Sequence, residues 1–345
     1  MYIYIMLKVN KTNIKVINKD SELGNSRLEF KISSPNIDYT VANTIRRTIM
    51  SDIPIYAFGE FKFEKNSSVF HNNYIKLQLI HMPVWSIENS VDFLEKSNPN
   101  TTITKDMETI DEENEEDGDK VQLEVEKNFN SSTLKQLTMY INTKNNTNDI
   151  INVTTSDAKF YYNEKQIPSP YKVSIPIVKL QPGQEIAFSA ITKIGIEEED
   201  TMFTPVCICV YKQINENEFN FILESRGQLT EKRIVEVALI NIKRKIRNFI
   251  KLLNDNKATV ELENKQTGII IVNNEDHTLG NLISRGMQQH KLISFAGYNL
   301  PHPLVKKVKF HYKLKKDDEI ISVINDVVEY YSEIFESINK SIKSI

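Results

Sequence analysis

The sequence predicts an α+β fold in which one α/β unit occurs twice, the copies pair through long helices, and a β-rich domain interrupts the first copy. Three observations lead there. First, Thr40-Val-Ala-Asn-Thr-Ile-Arg-Arg-Thr-Ile49 aligns with Thr278-Leu-Gly-Asn-Leu-Ile-Ser-Arg-Gly-Met287, with Thr40/Thr278, Asn43/Asn281, Ile45/Ile283 and Arg47/Arg285 in register. Second, each copy is later followed by a long helix carrying the same narrow apolar seam. Third, about 40 residues separate motif from helix in the second copy and about 190 in the first, and the excess is rich in strand-like runs.

The elements follow in order. Arg27–Ile32 alternates apolar and polar residues as a half-buried strand does. Ser33-Ser-Pro35 breaks it, and Asp38–Met50 is then a helix with Val41, Ile45 and Ile49 on one face and Asp38 or Thr40 as N-cap. Asp52-Ile-Pro54 stops the helix, because the residue before proline is pushed out of the α region. Ile55–Phe63 alternates again, and Tyr74–Ile80 is a short amphipathic piece ending at His81-Met-Pro83. From 84 to 213 strand-like runs dominate: Lys120–Glu126, Leu137–Asn142, Tyr171–Leu180, Glu185–Ile191 and Pro205–Tyr211. Gln181-Pro-Gly183 is a turn between two of them. Thr230–Asn254 is a long helix whose seam is Val235, Leu239, Ile242, Ile246, Phe249 and Leu253, a heptad spacing. Strands Ala258–Leu262 and Gly268–Val272, a helix beginning at Asp276 or Thr278, a Gly/Pro-rich turn at 297–303 and a strand Lys306–Leu314 follow. The last helix, Asp317–Ser341, repeats the seam with Ile320, Ile324, Val327, Tyr331, Ile334 and Ile338. The expected domains are therefore 1–83 with 214–254, an insertion at 84–213, and 255–345.

Composition narrows the function. The 345 residues carry 43 basic and 46 acidic side chains, a net charge of -3. Residues 106–119 hold nine acids and no base; such a block repels itself, so it reads as a solvated loop or as an acidic arm for a partner. The chain has 45 isoleucines, 35 asparagines and 35 lysines but 8 arginines. Lysine-rich stretches thus carry little weight here, and an arginine carries more. The apolar run Met1–Leu7 is too short to span a membrane, and a soluble intracellular protein is expected. Two cysteines, Cys207 and Cys209, make neither a zinc site nor a disulfide framework; two apart on a strand, both are expected to face the core. No phosphate loop, dinucleotide fingerprint, zinc-protease motif or serine elbow occurs, and the six histidines lack metal-ligand spacing. An enzyme would need a constellation that is missing.

Two basic features remain. Lys232, Arg233, Lys243, Arg244, Lys245, Arg247 and Lys251 lie on the first long helix, as a solvated face opposite the seam or as a phosphate-binding face. Arg46-Arg47 is the one adjacent arginine pair, and guanidinium forks suit carboxylates at protein interfaces.

The motifs resemble a known family. Asn43-Thr-Ile-Arg-Arg47, Asp52-Ile-Pro54, Asn66-Ser-Ser-Val69 and Leu77-Gln-Leu-Ile-His-Met-Pro83 resemble the α-type signature of multisubunit RNA polymerases, shared by the bacterial alpha subunit and the third-largest subunit of eukaryotic RNA polymerase II. Leu180–Ile186, Lys193-Ile-Gly195 and Phe203–Val206 resemble the inserted domain of those subunits, and Phe221-Ile-Leu-Glu-Ser-Arg-Gly227 their return to the first domain. Asn274–Leu282 and Phe295-Ala-Gly-Tyr298 with Pro301-His-Pro-Leu304 resemble the small eleventh-subunit partner. Both partners in one chain resembles the fused subunit of large nucleocytoplasmic DNA viruses. The resemblance implies a non-catalytic platform for the two large catalytic subunits, alongside small polymerase subunits, with DNA met only through the complex and no membrane role. It implies a partner-facing set of Asn43, Arg46, Arg47, Pro54, His277, Thr278 and Asn281, although Ser284 replaces the first arginine of the pair in the second copy. It also implies a host-cell location: virus factory, virion or nucleus. Eukaryotic third subunits carry a cysteine zinc loop in the insertion; this chain has no cysteine at that loop, so no zinc and no other cofactor is expected.

Overall fold

The computed structural model describes residues 13–20, 27–85, 93, 136–163, 165–255, 258–302, 305–317 and 319–343. The acidic block 106–119 and the strand expected at 120–126 lie outside these residues.

The first unit opens with β1 (Asn13–Asp20), β2 (Arg27–Ser33) and α1 (Tyr39–Ser51). An insertion follows, made of β3 (Ile55–Asn66), α2 (Asn72–Ile80), β4 (Leu137–Lys144), β5 (Ile151–Thr154), β6 (Lys159–Tyr162), β7 (Lys165–Ile167), β8 (Pro176–Leu180) and β9 (Glu185–Gly195). The first unit then resumes with β10 (Val206–Asn215), β11 (Glu218–Ser225) and α3 (Glu231–Asn254). The second unit is β12 (Thr259–Leu262), β13 (Thr267–Asn273), α4 (His277–Gln289), β14 (Ile293–Asn299), β15 (Lys307–Leu314) and α5 (Ile320–Lys343).

Each unit runs strand, strand, helix, strand, strand, helix. Each folds its strands into an antiparallel sheet of the same order, β1-β2-β11-β10 and β12-β13-β15-β14. The repeat seen in ten residues is thus a repeat of topology. The insertion has its own sheet, β3-β9-β4-β6-β7, beside the pair β5-β8.

Sheet membership moves both expected boundaries. β3 and α2, placed in the first unit from sequence, pack with the insertion, where Tyr56, Phe58, Ile75 and Leu79 join its core. β10, placed in the insertion, pairs with β11 in the first sheet. The strand expected over 171–180 shrinks to β8; Tyr171 is held by its hydroxyl on the Pro83 carbonyl (2.9 Å), and Ile175 bonds Thr155 outside any ladder. The Gly/Pro turn begins later than expected, because β14 continues through Gly297. The two cysteines do not share a face: a register shift between Val206 and Ile208 leaves Cys207 exposed and Cys209 buried. That extra residue breaks the period-two alternation.

One core spans both units, running from Leu28 and Phe30 of β2 through α3 and β13 to Ile342 of α5, while the insertion keeps a separate core. α3 packs against α5, and every seam residue is buried: Val235, Leu239, Ile242, Ile246, Phe249 and Leu253 on α3, and Ile320, Ile324, Val327, Tyr331, Ile334 and Ile338 on α5. The apolar face is wider than a heptad seam. Ile234, Val237 and Ala238 on α3, and Val323, Val328 and Phe335 on α5, are buried too, because α3 also packs on β2 and β11 and α5 also packs on α4 and β1. Among the described residues no helix is long and apolar enough to cross a membrane.

Candidate pairing site between the two repeats

The helices carrying the repeated motif, α1 and α4, meet at the junction of the units. Asp38 caps α1, its carboxylate accepting from the backbone N–H of Thr40 (3.0 Å) and Val41 (3.2 Å). Asp276 caps α4 in the same way, accepting from Thr278 N (2.8 Å). An N-cap carboxylate meets the positive end of the helix dipole, so both positions favour acid for local reasons.

The motif arginines then cross over. Arg47 of α1 donates from Nη2 to Asp276 Oδ2 (3.3 Å) and from Nε to Thr278 Oγ1 (2.9 Å). Arg285 of α4 donates from Nε to Asp38 Oδ2 (3.1 Å). Each copy's arginine therefore reads the helix cap of the other copy, a reciprocal lock related by the internal repeat. It is not perfectly symmetric: the hydroxyl of Thr278 accepts from Arg47, whereas that of Thr40 is buried without a hydrogen-bond partner.

Behind the lock lies a buried ion pair. Lys245 of α3 reaches Asp52, the C-cap of α1, at 2.5 Å, with the two side chains 12% and 6% exposed. Asn241 donates to the Asp52 carbonyl at 2.9 Å. Burial alone pushes the Lys245 ammonium down, but the carboxylates of Asp52, Asp276 and Glu275 and the Asp52 hydrogen bond outweigh it, and the net shift is upward. Acids from both units thus hold one cation on α3. Farther along, Lys243 of α3 pairs with Glu336 of α5, and Lys232 donates to the Lys343 carbonyl.

These contacts correct three expectations. Arg47 and Thr278, expected to face a large subunit, are spent on each other across the repeat junction. Pro54, also expected to face a partner, is buried. Most of the basic residues expected on a free face of the long helix are engaged within the chain: Lys243 and Lys245 are ion-paired, Arg233 pairs with Glu236 and Arg244 stacks on Phe93 at 3.6 Å, while Arg247 and Lys251 are exposed. Of the remaining expected residues, Arg46 lies along its own helix, donating to Asn43 Oδ1 (3.2 Å) and Met50 Sδ (3.1 Å). His277 is exposed with Nδ1 near the Tyr298 hydroxyl (3.3 Å), and Asn281 is half-buried.

Sequence reasoning missed the cross-copy role of Asp38 and Asp276, although an aspartate two residues before the motif threonine in both copies was its signal. It also missed the seam holding the insertion. There Arg226 donates to the carbonyls of Met202 (3.1 Å), Thr204 (3.1 Å) and His81 (2.6 Å), while Gln228 bonds both backbone groups of Tyr56 and the carbonyl of Val84. Gly227 turns between them with φ +96°, and a Cβ there would meet the Trp85 indole nitrogen at 2.5 Å.

Comparison with known proteins gives this geometry a family. Two profiles described as the RNA polymerase Rpb3/Rpb11 dimerisation domain match, one over residues 31–246 and the other over 267–341. A protein of Acanthamoeba polyphaga mimivirus assigned as a DNA-directed RNA polymerase subunit is 24% identical over 330 residues, covering 90% of this chain and 89% of its own. Subunit rpb3 of RNA polymerase II from Dictyostelium discoideum is 28% identical over 198 residues, 55% of each chain. An RPB11 subunit from Caenorhabditis briggsae is 33% identical over 98 residues, which are 27% of this chain and 80% of that protein. The relatives include both Rpb3-type and Rpb11-type subunits, and the chain belongs to the family of RNA polymerase Rpb3/Rpb11 dimerisation domains.

Proposed function

We propose that this chain is a non-catalytic assembly subunit of a DNA-dependent RNA polymerase, carrying both members of the α-type pair in one polypeptide and organising the two large catalytic subunits. One observation supports this above the others: a single core and a reciprocal lock join two units that each match the Rpb3/Rpb11 dimerisation domain. The pairing surfaces that such units present to each other are consumed inside the chain, which leaves its outer faces for further subunits. Asn43, Arg46, His277 and Asn281 stay at or near the surface beside the lock and are the proposed contact with a large subunit. Catalytic chemistry would belong to the partners. A viral setting follows from the mimivirus relative, which matches across both units.

Zinc is not part of the proposal. Cys207 and Cys209 sit on opposite faces of β10, where they cannot close on one ion. Stand-alone nucleic-acid binding through α3 is not favoured, given its internal ion pairs.

Affinity purification of the tagged chain at moderate salt tests the assignment. Recovery of two much larger chains in equal amount is the expected result. A chain recovered alone from its native source, in which polymerase is active, overturns it. Arg46→Ala should fold normally and reduce recovery of a large chain, and full recovery would remove the surface near Arg46 from the interface.

A further inference from the structure

The two repeats can be compared face by face, because their sheets share one topology. On β15 the residues Val308, Phe310, Tyr312 and Leu314 point into the core, so Lys307, Lys309, His311 and Lys313 line the outer face. Their neighbours in register are uncharged: Asn273, Ile271, Ile269 and Thr267 on β13, and Asn299, Gly297 and Phe295 on β14. Glu261 of β12 is the acid on this face, two strands away from β15.

The matching strand of the first repeat, β11, is the opposite. Its outer residues are Glu218, Asn220, Ile222 and Glu224, beside Arg27, Glu29 and Lys31 of β2. Their charges are spent locally, in Arg27–Glu29 (2.7 Å), Arg27–Glu224 (3.3 Å) and Lys31–Glu218. The lysine bias of the whole sequence acts on both repeats alike, so it does not account for paired charges on one face and, among the described residues, lysines with no acid in register on the other.

Spacing and surroundings suggest what the line meets. Alternate residues on a strand stand about 6.6–6.8 Å apart, which sets Lys307, Lys309 and Lys313 out in a row rather than a cluster, with His311 between the last two and 2.9 Å from Asn299 Oδ1. At one end Phe295 is 58% exposed, and its ring lies over Gly297, where a Cβ would touch it at 3.4 Å. The small glycine leaves that ring lying along the sheet beside Lys313 and His311. A row of cations with an exposed aromatic ring at its side is the arrangement that holds a single nucleic-acid strand, phosphates on the cations and a base on the ring. An acidic protein would use the cations but has no need of the ring.

We propose that the outer face of the second sheet, centred on Lys307, Lys309, His311 and Lys313 with Phe295, binds single-stranded RNA. The choice of RNA over DNA rests on the polymerase assignment; the strand-binding face rests on geometry alone.

The purified full chain should be titrated into a fluorescein-labelled single-stranded RNA of about 12 nucleotides at low salt, with binding read by anisotropy. Three lysine–phosphate contacts predict a log–log salt slope of about -2. Lys309→Glu with Lys313→Glu should weaken binding at least about tenfold, and Phe295→Ala about five- to hundred-fold. The charge-matched pair Lys179→Glu with Lys212→Glu, on other surfaces, should leave affinity within about twofold of the parent chain. Circular dichroism of each variant confirms that the fold is kept. Absence of binding, equal losses in the charge-matched pair, or an unchanged Phe295→Ala affinity overturns the strand-binding face. Tighter binding of polyglutamate than of RNA also overturns it, in favour of an acidic protein. Tighter binding of the same-sequence DNA overturns the choice of RNA. Recovery of the large subunits is a separate readout, so failure here and failure of the assembly role are distinguishable.

Discussion

Replacing Lys245 by methionine keeps the apolar stem and removes the charge that holds Asp52. The two side chains are 12% and 6% exposed and 2.5 Å apart, so solvent cannot take the place of the ammonium. Removing one partner of such a pair leaves a buried charge behind, at a cost of about 3–5 kcal/mol. For a chain of this size each kcal/mol is worth about 2–4 °C, so the melting temperature should fall by roughly 6–20 °C. Adding Asp52→Asn to Lys245→Met should recover most of the loss, since the stranded charge is then gone and only hydrogen bonds are weakened. The pH dependence has a definite sign. The folded-state lysine titrates above its ordinary value, so its contribution is complete across the acidic and neutral range and is lost only as pH rises through the folded value. Thermal or urea unfolding of the single and double variants at neutral and acidic pH measures all of this. A single-variant loss below about 1 kcal/mol, or a double variant no more stable than the single, would refute the view that this pair organises the junction.

Gly286 of α4 faces α5 so closely that a Cβ would lie 2.4 Å from Val327 and 2.7 Å from Tyr331. Gly286→Ala should lower the melting temperature, because overpacking of about 1–3 kcal/mol outweighs the gain of about 1 kcal/mol in helix propensity; a higher melting temperature would show that α5 yields easily. Arg47→Ala should destabilise more than Arg285→Ala, since it removes two hydrogen bonds across the junction, to Asp276 Oδ2 and Thr278 Oγ1, whereas Arg285→Ala removes one, to Asp38 Oδ2; equal losses in denaturant titrations would argue against the asymmetry. A thiol reagent should modify Cys207 in the native chain and reach Cys209 only on unfolding, because burial pushes the Cys209 thiol up to about 12. Two fast-reacting thiols would mean that β10 opens readily.

The repeat and the long amphipathic helices were legible because each rests on a local pattern: a decapeptide with four identities in register, a heptad-spaced seam, an Asp placed to cap a helix. Helix α1 needs little beyond Asp38, its apolar face and the Ile53-Pro54 stop, and α3 and α5 need little beyond their apolar faces. The strand at 171–180 failed because alternation reports only burial, and Tyr171 is buried by packing against Trp85 and Phe160, with its hydroxyl on the Pro83 carbonyl, rather than by a ladder. Cys207 and Cys209 failed because one bulge residue reverses the face of a strand, and no composition signal marks a bulge in an apolar run.

The sequence by itself determined the periodicities: which helices are amphipathic, which segments repeat, and which arginines stand out against a lysine-rich background. Tertiary structure alone decided where those arginines point. Arg47 and Asp276 are separated by 228 intervening residues, and an isolated guanidinium on a helix suits an external carboxylate as well as an internal one. Only the packing of α1 against α4, set by a core shared between the units, brings each arginine to the other copy's helix cap. The same holds for Lys245, which looks like one more solvated lysine until Asp52 is folded over it. Short-range order follows from spacing along the chain. Charge pairing depends on a few ångströms between distant elements, which no spacing along the chain encodes.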